Sequence, residues 1–127
     1  MKILVCGSRD WTDLTTIGLA LVDAVPDSCV ASDVTVIEGD CRGADKLSER
    51  AARALGMKVK PYPADWTKHG KAAGHIRNQQ MLDENPDIDL VLAFPLGGPG
   101  TADMIRRARA AGVKVLVFGP QKPVLGS

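Results

Sequence analysis

A glycine-rich turn placed directly after an apolar run is the feature that most limits how this chain folds. Leu90-Val91-Leu92-Ala93-Phe94 has the continuous apolar character of a strand buried on both faces. It leads into Pro95-Leu96-Gly97-Gly98-Pro99-Gly100-Thr101, and a helical pattern is predicted from Ala102 to Ala111. A strand, a glycine turn and a helix start in that order create an anion site. The first-turn N–H groups lack intrahelical partners, and the helix dipole adds partial positive charge at the same end. Glycines let a phosphate approach the backbone with no Cβ in the way.

The rest of the chain repeats the same alternation. Lys2-Ile3-Leu4-Val5-Cys6 is a short apolar run ending at Gly7. Asp13 can cap a helix whose apolar face is Leu14, Ile17, Leu21 and Val25. Val34-Thr35-Val36-Ile37 is a second strand, and Gly43 to Leu55 a second helix that stops at Gly56. Met57 to Pro61 is a third strand. A connection of about 13 residues, Tyr62 to Gly74, follows before a helix over His75 to Asp83; a loop of that length is usually functional or mobile. Gly112 ends the last helix, and Lys114 to Phe118 is the fifth strand. This βα alternation with apolar strands predicts an α/β, Rossmann-like three-layer sandwich with a five-stranded parallel sheet in the order 3-2-1-4-5. A single domain is expected over residues 1–119, with a loosely ordered tail over 120–127.

Composition narrows the function classes. The 127 residues carry a formal net charge of +1 and only 4% aromatics, so nothing global points to nucleic acid. No run is long enough to span a bilayer and no signal-peptide pattern is present at the start. Cys6, Cys29 and Cys41 are odd in number and lack CxxC spacing, which suggests reduced thiols in a cytoplasm and neither a disulfide frame nor a zinc site. No metal and no resident cofactor is expected.

Parallel topology brings the residues after each strand to one edge of the sheet. Gly7, Ser8, Arg9 and Asp10 follow the first strand, and Gly39, Asp40, Arg42, Gly43 and Asp45 the second. Asp65, Trp66, Lys68 and His69 follow the third, then His75, Arg77 and Asn78. Gly97, Gly98, Pro99, Gly100, Thr101 and Asp103 follow the fourth. Arg9, Arg42 and Arg77 are suited to bidentate phosphate contacts, whereas Arg106, Arg107 and Arg109 read as a solvated helix face. Trp66 either plugs the core or stacks on a base.

Five blocks of this sequence then suggest a family. They are Gly7-Ser8-Arg9-Asp10, Glu38 to Asp45, Ala64-Asp65-Trp66, Gly74 to Asn78 and Ala93 to Asp103, in that order. In them the chain resembles the YspA-type, cpYpsA-related SLOG family, small bacterial and phage proteins, over nearly everything from Lys2 to Val117. That family is similar to the Lonely Guy phosphoribohydrolases and to the DNA-processing protein A domain. The resemblance implies binding, with or without processing, of a nucleotide or nucleotide-derived phosphorylated ligand, and a homodimer. In the hydrolases a PGGxGTxxE turn holds phosphate and supplies a catalytic Glu, assisted by an Arg on the preceding helix. Here Pro95 to Thr101 matches the phosphate part and Arg77 the arginine, while Met104 stands at the Glu position, next to Asp103. Asp103 and Arg77 are therefore the candidate catalytic pair. The alternative activity is N-glycosidic-bond hydrolysis, with Asp40 or Asp45 as further carboxylates; single-stranded DNA binding is a weaker third reading.

Overall fold

The structure is a computed structural model, and it describes residues 1–120. The predicted tail falls almost wholly on residues 121–127, which lie outside the described residues.

Five strands, β1 (Lys2–Gly7), β2 (Thr35–Glu38), β3 (Lys58–Pro61), β4 (Leu90–Phe94) and β5 (Val115–Val117), form one sheet in the order β3-β2-β1-β4-β5. Every pairing is parallel. The fold is the α/β, Rossmann-like architecture expected from the alternation, with strand ends within a residue or so of those read from the sequence.

The continuous apolar strands follow from burial on both faces. Ile3, Val5, Val36, Leu92 and Phe94 face one layer, with Trp11, Ile17, Leu21, Ala51 and Ala52 packed on them. Leu4, Cys6, Ile37, Val91 and Ala93 face the other, against Met81, Leu82, Met104 and Ala108. Helices α1 (Leu14–Ala24) and α2 (Ala44–Ala54) supply the first layer, and α4 (Ala73–Glu84) and α5 (Pro99–Ala110) the second. The Asp13 carboxylate caps α1 by accepting the Thr16 N–H at 3.0 Å.

Two predicted boundaries are corrected. The 13-residue connection is not a structureless loop. It contains the short helix α3 (Trp66–His69) and a 3₁₀ turn (Gly70–Ala72) that runs into α4 at Ala73, two residues before the predicted start. Asp65 caps α3 by accepting the Lys68 N–H at 2.9 Å, and Gly70, at φ +56°, breaks it. Helix α5 begins at Pro99, three residues before the predicted start. Proline is at home in a first helical turn, where its missing N–H would have no partner. Half of the glycine turn is thus already helix.

Candidate functional site

The first strand meets the chain reversal of the sheet here: β1 is flanked by β2 on one side and β4 on the other. A cleft of about 440 Å³ opens beyond the carboxyl ends of these strands, the position where open parallel sheets take their ligands. Its floor is the end of β1, Gly7, Ser8 and Arg9. One wall is Gly39, Cys41, Arg42 and Asp45. The far wall is Trp66, Lys71, Gly74, His75, Arg77 and Asn78, and the fourth side is Gly98, Pro99, Gly100 and Thr101. The parallel sheet therefore brings together most of the predicted residues. Asp40, Gly43, Asp65, Gly97 and Asp103 stand outside this lining. Asp10, Gly74 and His75, which the sequence places at the same sheet edge, line the cleft as well, and so do Cys41 and Lys71, which were not among the residues gathered there from the sequence. Lys71 was hidden because its segment read as loop.

Two glycines are there for packing. A Cβ on Gly7 would lie 2.5 Å from the Ala44 Cβ, and one on Gly43 would run into the Ser8 carbonyl oxygen. These contacts let the start of α2 sit directly on the end of β1, where the Ala44 N–H donates to Ser8 O at 3.0 Å. Gly98 and Gly100 differ. Among the described residues a Cβ at either would meet nothing within 4 Å beyond its chain neighbours and its own helix backbone, and Gly98 has an ordinary φ of −78°. Gly98 caps α5 without a side-chain bond, and Pro99 has no N–H to give. The donors left at this helix start are the amides of Gly98, Gly100 and Thr101.

Arg77 is half-buried and strapped to the wall. Its guanidinium donates to the Gly39 carbonyl, to Asn78 Oδ1 at 3.1 Å and to Tyr62 O at 3.5 Å. Arg42 is exposed and reaches Asp10 at 3.4 Å, and the Arg9 guanidinium lies over the half-exposed Trp66 ring. Trp66 is thus a rim residue and not the core plug that was the other reading.

The carboxylates divide into two groups. Asp103 is 1% exposed. It accepts from Asn78 at 3.1 Å, from Arg106 at 2.6 Å and from Arg107 at 2.8 Å, with His75 Nδ1 at 3.2 Å. Burial alone would raise its pKa, but the hydrogen bonds from Arg107 and Asn78 outweigh that and hold it below the ordinary carboxylate value. Arg106 and Arg107 are therefore not simply a solvated face. Their spacing of three and four residues from Asp103 was the available signal. Met104, at the position of the hydrolases' Glu, is fully buried in the α4/α5 layer. Asp45 faces the cleft, and burial pushes its carboxyl up to about 6 against the pull of Arg77 and the Cys41 N–H. Glu38, at the end of β2, is fully buried, and that burial pushes it up to about 8.

A parallel Rossmann-like sheet with a glycine-edged, arginine-lined cleft at its switch point is the class of protein that this geometry defines. The model of the YspA, cpYpsA-related SLOG family matches residues 1–69. The Gene 61 protein of Mycobacterium phage D29 is 41% identical over 124 residues, a match covering 93% of this chain and 96% of that protein. The chain belongs to the YspA, cpYpsA-related SLOG family. Among solved structures, the C-terminal domain of a hydrogenase from Pyrococcus furiosus is similar at a TM-score of 0.44 and 20% identity, covering 91% of this chain and 89% of that one.

Proposed function

We propose that the protein binds a nucleotide or a nucleotide-derived phosphorylated ligand in this cleft. One phosphate rests on the amides of Gly98, Gly100 and Thr101 and beside Arg77. A second meets Arg9 and Arg42, and the base stacks on Trp66. Gly7, Ser8, Gly39 and Asn78 complete the walls.

The observation that most supports this reading is the open space at Gly98 and Gly100. The protein's own packing does not require glycine at either place. Gly100 lies in the first turn of α5, where helix geometry tolerates glycine but does not call for it, so neither packing nor the helix explains the pair of glycines. A ligand that comes close to the backbone accounts for it. Family membership supports the same ligand class. Isothermal titration with AMP, ADP-ribose and NAD tests the reading directly. Mass spectrometry of small molecules released from the purified, denatured protein identifies a co-purifying ligand.

A second reading, hydrolysis of an N-glycosidic bond, is favoured by one observation. Asp45 faces the cleft with a carboxyl raised towards neutrality, the property of an acid–base group. Asp103 is engaged by Arg106, Arg107 and Asn78, so in this reading Asp45 carries the chemistry. Release of free base from AMP, lost in Asp45→Asn, is its test.

The same proposal has the protein acting as a single domain over residues 1–119, in the cytoplasm, where Cys6, Cys29 and Cys41 stay reduced. No helix among the described residues is long and apolar enough to cross a membrane. A homodimer is part of the proposal, checked by light scattering at micromolar concentration.

A further inference from the structure

We propose that Glu38, Asp40 and Glu49 form a binding site for a hard divalent cation, outside the nucleotide cleft. One carboxylate oxygen from each of the three lies within 4.8 Å of the others. They come from the end of β2, the turn after it and the middle of α2. Three carboxylate oxygens and no nitrogen or sulfur are the donor set of Mg²⁺, Mn²⁺ or Ca²⁺.

The independent observation is the state of Glu38. Its side chain is fully buried, and its Oε1 has no hydrogen-bond partner among the described residues. A buried polar oxygen left unpaired is costly and calls for an explanation, of which an ion is one. The side chain shares a face with Val36, two residues earlier, which packs in the α1/α2 layer. That face directs it at α2, where Glu49 sits. Its other oxygen accepts the Asp40 N–H at 2.5 Å, so the turn folds back over the same carboxyl.

Two basic side chains already attend the cluster without reaching Glu38. Lys46 pairs with Asp40 and lies 3.6 Å from Glu49 Oε2, while Arg53 lies 3.2 Å from Glu49 Oε1. Glu49 Oε2 has no hydrogen-bond partner among the described residues. Lys46 is half-exposed, so it can swing aside into solvent and leave an entry path. A bound cation would take over its charge, and the Glu38 carboxyl would release its proton as it binds. It would tie the turn after β2 to α2 from one side, while Arg77 holds the Gly39 carbonyl from the cleft side.

Binding of Mn²⁺ to the full chain, followed by electron paramagnetic resonance of the free ion, tests this without any nucleotide. The wild type is expected to bind one Mn²⁺ saturably at or below millimolar concentration. Asp40→Asn and Glu38→Gln should each weaken binding by about tenfold or more. Lys46→Met, a change on the surface, should tighten it, because a competing ammonium is gone. Absence of saturable binding by the wild type, equal affinity in Asp40→Asn, or no gain in Lys46→Met would each overturn the site. Circular dichroism on every variant separates loss of ligand from loss of fold.

Discussion

The Arg9 guanidinium lies 5.2 Å from the centre of the Trp66 ring, so the segment after β1 meets α3 across the mouth of the cleft. A base entering there gains a stacking surface on the ring and a cation beside it. Trp66 fluorescence should change on titration with ADP-ribose, because Trp11 is buried in the core and reports little. Base–aromatic stacking contributes about 1–3 kcal/mol, so Trp66→Ala should weaken binding by about tenfold with little effect on stability. Unchanged affinity in calorimetry would remove Trp66 from the site.

Gly98→Val separates a ligand's requirement from the fold's. A Cβ there meets open space at an unstrained backbone angle, so the unfolding free energy should fall by no more than about 1 kcal/mol, the cost of trading a glycine N-cap for valine. The thermal stabilisation given by nucleotide should disappear, because the added side chain occupies the place of the phosphate. A melt series with and without ligand checks both halves.

Asp103 and its partners should behave as a structural unit. Asn78 on α4 and Arg107 on α5 converge on it, and Arg107 also reaches Gln79 at 2.9 Å. Asp103→Ala leaves these donors without their acceptor and should cost about 2 kcal/mol in denaturant unfolding. Arg77→Ala should reduce nucleotide affinity more than Arg107→Ala does, since Arg77 faces the cleft and Arg107 the helix pair. Equal affinity losses would contradict this assignment.

Asp45 should leave a mark on stability against pH. Its carboxyl is raised from the ordinary 3.8 to about 6, chiefly by burial, with Asp40 adding to the rise and Arg77 opposing it. The unfolded chain therefore gives up this proton at lower pH than the folded one. Its contribution to stability is complete below about pH 4 and is lost as pH rises through about 6. Asp45→Asn should flatten the melting temperature across that window relative to the wild type. An identical slope in both proteins would show that the group titrates normally.

Much of the fold was legible in local pattern. The runs Ile3–Cys6 and Leu90–Phe94 are apolar on both faces, which is enough to place them in the middle of a parallel sheet. The α/β alternation then leads to the order of the sheet, and through it to a common edge for Arg9, Arg42, Arg77 and the glycine turn. Helix limits were less legible. Proline and glycine at 97–100 read as punctuation, yet Pro99 and Gly100 are helical, because a first turn tolerates residues that an interior rejects.

Local sequence carried the strand pattern, the edge where the candidate residues gather and the family blocks that they form, since each follows from the order of residues along the chain. The partners of each charged group came from tertiary packing. Asp103 could be read as a free carboxylate until α4 brought Asn78 against it. Glu38 ends an apolar strand, and nothing near it in the chain announces that α2 sets Glu49 beside it. The electrostatic state of a carboxylate depends on which elements pack over it, and strand periodicity and helix spacing do not carry that information.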